Sequence, residues 1–359
     1  VAVRYVLGRL LLFVPTLLVI LAVNFALIQA APTGPLEQSI AAITEEKRAL
    51  GQGFALDGVR YQGANGLSDD MLAELNARFG FDKPVLERFW LMVSQYARFD
   101  LGQSFYQGEK VATLIAQKLP ITLLMGALSL VLMYGVGVSV GVWQAHSRFN
   151  APKQNRASKF DTLTTLVLSA LHAVPSFVLA LLLLVLFAGG RFWQWFPMQG
   201  VMSANFAELS TLGKVWDVLH HLALPVLANA AGLVAAIALL VKFSVLGQQN
   251  APYVLAARAR GFTGVRLVRG HLLKNAILPL VAEMPLVVVG VLFSGNFLVE
   301  VVFNIDGLGR LGYEAIITKD YPVMFGVLYV FTLLSMVVQL VFDLLYALID
   351  PRVNFAKKY

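Results

Sequence analysis

Six ionisable side chains stand in or beside long apolar stretches of this chain: Asp161, His172, Lys242, Glu283, Glu300 and Asp343. A charge inside a membrane-crossing segment is costly and usually faces a cavity or a partner, so each is a candidate for a solute path. Asp161, Lys242 and Asp343 fall near the ends of apolar runs, where a side chain can bend its charge back to the surface. Glu300 stands beside a turn, which suits a structural cap or an ion pair. Glu283 lies one to two turns inside its run, close to Pro285, and either lines a path or pairs with a neighbouring helix. Asn24, His172, Asn229, Asn296 and Gln339 suit either a polar path or stitches between helices. The candidate path set is therefore Glu283, His172, Asn229 and Asn296.

Other chemistries lack their residues. The 5 histidines contain no His-Glu-x-x-His arrangement, and no metal site is expected. His220 and His221 are adjacent, and neighbours on a helix point different ways. No Gly-x-x-x-x-Gly-Lys-Ser/Thr loop is present to cradle a phosphate, so ATP hydrolysis is not expected of this chain. No Gly-x-Ser-x-Gly elbow offers a nucleophile. With no cysteine, thiolates and disulfides are excluded. The chain reads as a non-catalytic protein with no cofactor of its own.

One polar stretch has a shape of its own. Residues 253–279 read YVLAARARGFTGVRLVRGHLLKNAILP, a basic island between two apolar runs. Ala256, Ala257 and Ala259 favour helix and leave little side chain to hold a partner away. Gly261 stands where a helix end wants a left-handed residue. Thr263 is placed to cap a second helix. The stretch predicts two short helices meeting at a corner, kept out of the lipid by Arg258, Arg260, Arg266, Arg269 and Lys274. A rigid, small-residue elbow at a membrane surface is a docking element.

The elements that position these residues are membrane spans. A composition of 58% hydrophobic and 14% charged residues, with mean hydropathy +0.71, describes a polytopic membrane protein rather than two soluble domains. The net charge of +7 lies between apolar runs, where membrane orientation explains it better than nucleic acid does. Six runs, each of about 20 residues or more, are long enough to span: roughly 7–29, 119–143, 162–188, 224–246, 277–302 and 323–348. The first is too long for a signal-peptide core and reads as a retained helix. Arg4 and Arg9, then Arg148, Lys153, Arg156 and Lys159, then the elbow, then Arg352, Lys357 and Lys358 mark one side of the membrane. The opposite loops are poorer in Arg and Lys, which puts both termini in the cytoplasm. Leu119-Pro120, Leu224-Pro225 and Leu278-Pro279 read as span openings, where proline's missing N–H has no partner anyway. Pro175 and Pro285 predict kinks. Gly137 and Gly141 predict close helix packing.

The fold expected is all-α and polytopic, with six transmembrane helices. It divides into an N-terminal span (1–29), an external subdomain (30–118), a five-helix core (119–348) carrying the elbow (253–279), and a tail (349–359). In the external part, Ser68, Asp69 and Asp70 open a helix ending at Gly80. Asp82-Lys83-Pro84 open an amphipathic one reaching about Arg98. Residues 41–66 read as a loop-rich insertion, either a tolerated surface piece or a contact for a binding protein.

AARARG followed by HLLKNAILP resembles the cytoplasmic loop of the permease subunits of bacterial ABC importers, in the oligopeptide, dipeptide and nickel branch. RFGFDKP…FDLGQS, Leu298 to Phe303 with Gly307-Leu308-Gly309, and Lys319-Asp320-Tyr321-Pro322 are similar to that branch as well, so the resemblance covers nearly the whole chain. The insertion, Ser203-Ala204-Asn205-Phe206 and DYPVMFG resemble a narrower group, the B-type permeases of Yej-like peptide importers, which also take up microcin C. The resemblance implies the type I importer permease fold in a bacterial inner membrane. It implies that Ala256, Ala257, Arg258, Gly261, Thr263 and His271 form a coupling element in a groove of an ATPase. It further implies a second homologous permease, ATPase subunits holding ATP and magnesium, a periplasmic peptide-binding protein, and a peptide substrate. Many ABC importers carry Glu-Ala-Ala at the elbow, whereas this chain has Leu255-Ala256-Ala257, so no acidic contact is carried over. The competing class, a self-sufficient secondary transporter, calls for inverted repeats or paired charges at mid-membrane, and no clear repeat is visible.

Overall fold

The structure is a computed structural model and describes residues 2–30, 83–149, 159–294 and 297–349. The 41–66 insertion, the expected helix over 68–80, Asn296 and the tail from 350 lie outside the described residues. Among the described residues every regular element is a helix, beside one isolated antiparallel bridge between Gln103 and Lys110. Among the described residues five stretches are long and apolar enough to cross a membrane: Leu7–Leu27, Val111–Ser147, Thr211–Gly247, Leu278–Val302 and Tyr321–Leu345. A bent helix pair makes a sixth if it counts as one span.

The described residues form two compact units, one from 2–117 and 311–336, the other from 118–310 and 337–349. In the first, α1 (Ala2–Ala30) exposes Leu7, Leu11, Val14, Val19 and Val23, as a helix facing lipid does. The amphipathic α2 (Val85–Ala97) follows Pro84 and sets Phe89 edge-on against Phe25 of α1, ring centroids 5.6 Å apart. Two motif segments far apart in sequence then meet. Ser104 donates its hydroxyl proton to Asp320 Oδ2 at 2.5 Å. Its own oxygen accepts the N–H of Gln107 at 2.9 Å. Burial pushes the Asp320 carboxyl above the usual range, against the pull of Ser104 and of backbone N–H groups. The tight turn is thus pinned directly before the last long helix.

The second unit is built on two very long helices, α3 (Val111–Phe149, mostly within this unit) and α6 (Thr211–Gly247). Ser210 caps α6 by accepting the N–H of Gly213 at 3.2 Å. At 39 and 37 residues they run about 55–60 Å, nearly twice the hydrocarbon thickness. This corrects the Leu-Pro expectation. Pro120 and Pro225 lie inside these helices, and only Leu278-Pro279 opens one, α10 (Leu278–Val289). An interior proline forfeits one backbone bond, which the many turns on either side outweigh. Gly137 and Gly141 bring α3 against α6: a Cβ at Gly141 would stand 2.5 Å from the Ala238 carbonyl oxygen.

The expected span 162–188 is broken. α4 (Lys159–Ala173) and α5 (Ser176–Phe187) meet at 101°, with Pro175 at the N-cap of α5. The residue before a proline is driven out of the helical region, and here that ends α4. Halves of 15 and 12 residues reach about 22 and 18 Å, and neither alone crosses about 30 Å of hydrocarbon. Pro285, in contrast, stays within α10, and the helix widens into a π turn only at Gly290–Ser294.

Candidate functional site: the elbow

Four residues separate the end of α6 from the first helix of the elbow. α7 (Pro252–Ala259) opens with proline in its first turn and closes in a Schellman motif. The N–H of Phe262 reaches back to the Ala257 carbonyl at 3.1 Å, and the N–H of Gly261 to the Arg258 carbonyl at 2.9 Å. That geometry needs a left-handed residue, and Gly261 has φ +84°. Phe262 then sets its ring edge-on to His271, centroids 4.8 Å apart. Thr263 immediately precedes α8 (Gly264–Leu267), its carbonyl accepting the Leu267 N–H at 3.4 Å. A π turn, Val268–Leu272, and the short α9 (Leu273–Ala276) lead into α10.

The elbow has two faces. Val254, Ala257, Leu267, Val268, Leu272 and Ala276 are buried in one cluster with Met133 and Ala145 of α3 and Ile237, Val241 and Val245 of α6. Leu255, Ala256, Arg258, Ala259, Arg260, Phe262, Thr263 and Arg266 are exposed and make up the outward face, where Leu255 keeps 52% of its surface exposed. Apolar area beside guanidinium groups is the composition of a docking surface. Ala257 corrects an expectation: it belongs to the inner face, 5% exposed, so its side chain fits the elbow to its own helices, and of the pair only Ala256 turns outward. Successive helical residues point about 100° apart, and the tight α6–α7 connection turns position 257 inward.

One membrane charge, Lys242, is placed differently from the sequence expectation, and another, Glu300, as expected. Lys242 does not bend to the surface; it is 1% exposed, and its Nζ donates to Asp161 Oδ1 at 2.7 Å and to Thr165 Oγ1 at 2.6 Å. The Thr165 hydroxyl donates onward to the Asp161 carbonyl at 2.6 Å. The lysine points sideways across the contact of α4 with α6, where the Asp161 carboxylate receives it. Its position lies five residues before α6 ends, so the pair ties α4 to the part of α6 that carries the elbow. Glu300, on α11 (Phe297–Val302), is fully buried. It accepts the Thr122 hydroxyl and the Arg310 N–H, each at 2.8 Å, and Thr122 Oγ1 accepts the Leu308 N–H at 2.8 Å. A Cβ at Gly307 would lie 2.5 Å from the carboxylate, which accounts for a glycine in that turn. Lys118 pairs with Asp306 beside it. Glu300 is a cap for the Gly-Leu-Gly turn.

The path candidates separate. Asn229 is buried and donates to Ser129 Oγ at 3.2 Å, a stitch between α6 and α3. His172 donates from Nδ1 to the Gly232 carbonyl at 3.0 Å and joins the end of α4 to α6 while staying exposed. Glu283 is exposed on α10. Each member of the adjacent pair holds a different carbonyl, His220 that of Trp195 at 2.9 Å and His221 that of Asp217 at 2.8 Å.

Residues 137–355 match the family described as binding-protein-dependent transport system inner membrane component. The chain is 39% identical to the inner membrane ABC transporter permease protein YejB of Escherichia coli O157:H7, over 98% of each chain. It is equally 39% identical to the peptidoglycan transport system permease protein YejB of Agrobacterium fabrum, over 99% of each. At 27% identity it resembles the oligopeptide transport system permease protein AppB of Bacillus subtilis, over 98% of this chain and 99% of that one. An inward-facing structure of the MetNI methionine ABC transporter superposes on 66% of this chain and 96% of its own, with TM-score 0.51 at 20% identity, a likeness of fold.

Proposed function

This chain belongs to the binding-protein-dependent transport system inner membrane components, and we propose that it forms one half of the translocation pathway of an ATP-driven peptide importer. The full-length similarity to permeases of peptide systems supports the substrate class. One observation carries the mechanism: the elbow is a Schellman-closed corner with one face locked into α3 and α6 and the other exposed. A second permease completes the path, ATPase subunits holding ATP and magnesium dock on the outward face, and a soluble binding protein delivers peptide. Closure of the ATPases moves the elbow as a body, and α6 and α4 follow because Lys242 ties them together. Ala256, Arg258, Gly261, Thr263 and His271 shape or present the docking surface, and Ala257 seats it.

Two substitutions separate docking from seating. Ala256→Trp adds bulk to the outward face. It is expected to leave the subunit inserted while cutting binding-protein-stimulated ATP hydrolysis and uptake roughly tenfold or more, a coupling loss of at least about 1.4 kcal/mol. Ala257→Trp overpacks the chain's own core by about 1–3 kcal/mol and is expected to lower the yield of inserted subunit instead. Wild-type stimulation and uptake by the Ala256→Trp complex in vesicles would sink the coupling assignment.

Sidedness has its own test. The reading puts the elbow and Lys159 in the cytoplasm and Arg98 outside. Both residues are exposed. Arg98→Cys is expected to react with an impermeant thiol reagent in cells with a permeabilised outer membrane, and Lys159→Cys only after lysis. The reverse pattern inverts the topology.

A further inference from the structure

A cleft of about 350 Å³ opens beside the elbow, lined by Val138, Ser139, Val142, Trp143 and His146 of α3 and by Val268, Arg269 and Leu273. Its lining changes character along α3. Val138 and Val142 belong to the apolar run, Trp143 stands at its end with 51% of its surface exposed, and His146 follows one turn later. A Cβ at Gly264 would lie 4.0 Å from His146 Nε2, so the imidazole stands against the corner of the elbow. Arg269 brings an exposed guanidinium from the π turn to the same place. Apolar wall, interfacial indole and basic head thus succeed one another in the order in which an acyl chain, a glycerol backbone and a phosphate meet the membrane surface.

We propose that this cleft binds an anionic phospholipid, with its phosphate at Arg269 and His146 and its acyl chain along Val138, Val142 and Leu273. Charge complementarity selects the occupant: basic pockets between membrane helices take anionic headgroups, and a zwitterionic lipid offers Arg269 no net charge. The Arg269 fork matches two phosphate oxygens, which an ammonium would meet only as a point charge. Ser139 spends its proton on the Gly135 carbonyl at 2.7 Å, so it holds out no donor towards the acyl chain beside it. The lipid would rest on the π turn of the elbow itself, so the composition of the leaflet would bear on the element read above as the coupling device. The proposal depends on that reading only for the surrounding membrane, and its test does not use transport.

The test uses the chain purified with its co-assembling subunits and placed in phosphatidylcholine nanodiscs. Phosphatidylglycerol brominated on its acyl chains, or brominated phosphatidylcholine in parallel, replaces the lipid in steps. The Trp143 signal is the difference in emission between wild type and Trp143→Phe. Brominated phosphatidylglycerol is expected to quench it at about fivefold lower mole fraction than brominated phosphatidylcholine. Arg269→Gln is expected to merge the two curves, and Arg269→Lys to keep most of their separation. Equal quenching by both lipids in wild type means ordinary bilayer contact and overturns the proposal. Quenching by neither means that protein covers the cleft and overturns it too, as does a preference that survives Arg269→Gln combined with His146→Gln.

Discussion

Lys242→Met is expected to destabilise the assembled subunit by about 3–5 kcal/mol, because it takes away the ammonium with which the buried Asp161 carboxylate pairs. The lost interaction is more than a pair of charges, since Nζ also holds Thr165. Asp161→Leu is expected to do comparable harm by stranding the ammonium. The double variant Lys242→Met with Asp161→Leu removes both charges and fills their space with apolar groups, so it is expected to recover most of the loss. A double-mutant cycle on the melting of the purified complex measures this, with the two single losses summing to well above the loss in the double. Additive losses would mean that the two residues act apart. Uptake adds a functional readout: if the pair transmits the stroke from α6 to α4, the double variant regains stability without regaining the full transport rate.

Glu300→Ala is the second large effect. Truncation removes the acceptor of the Thr122 hydroxyl and of the Arg310 N–H in a fully buried place. At about 1–3 kcal/mol for each orphaned donor, the expected cost is roughly 2–6 kcal/mol. Glu300→Gln retains one oxygen but turns an amide donor towards groups that also donate, so it is expected to fall between wild type and alanine. The loss should be read as a lowered melting temperature together with faster proteolysis at the Gly307–Arg310 turn. Unchanged proteolysis in Glu300→Ala would show that something other than this carboxylate holds the turn.

The sequence made the elbow legible because its signals are local. Alanine composition, a glycine at a helix end and a basic island each act within a few residues, and the structure closes the corner at Gly261 by the bond pattern that such a glycine serves. The Asp82-Lys83-Pro84 opening signal likewise located the start of α2 to within three residues. Long-range pairing left no such trace. Asp161 and Lys242 are separated by 81 residues, and nothing near either one distinguishes a lysine that reaches sideways from one that bends outward. The inward turn of Ala257 depends on how α7 follows α6, which composition does not encode. The prolines show the same limit: Pro175 breaks a span and Pro225 does not, because the helix containing Pro225 has 37 residues to stabilise it.

The π turn at Val268–Leu272 fixes the rotational phase of everything after it. A π turn accommodates one residue more than an α turn over the same rise. Were the same residues to run from Gly264 as regular α-helix, with no wide turn, each later side chain would be rotated by about 100°. Ala276 and Leu280, now buried, would swing out of the core, and the exposed Glu283 would turn towards a different neighbour. The facing of α10 is therefore set by the way the elbow winds as much as by hydrophobicity, and the wide turn acts as a phase key between the docking surface and the membrane helix.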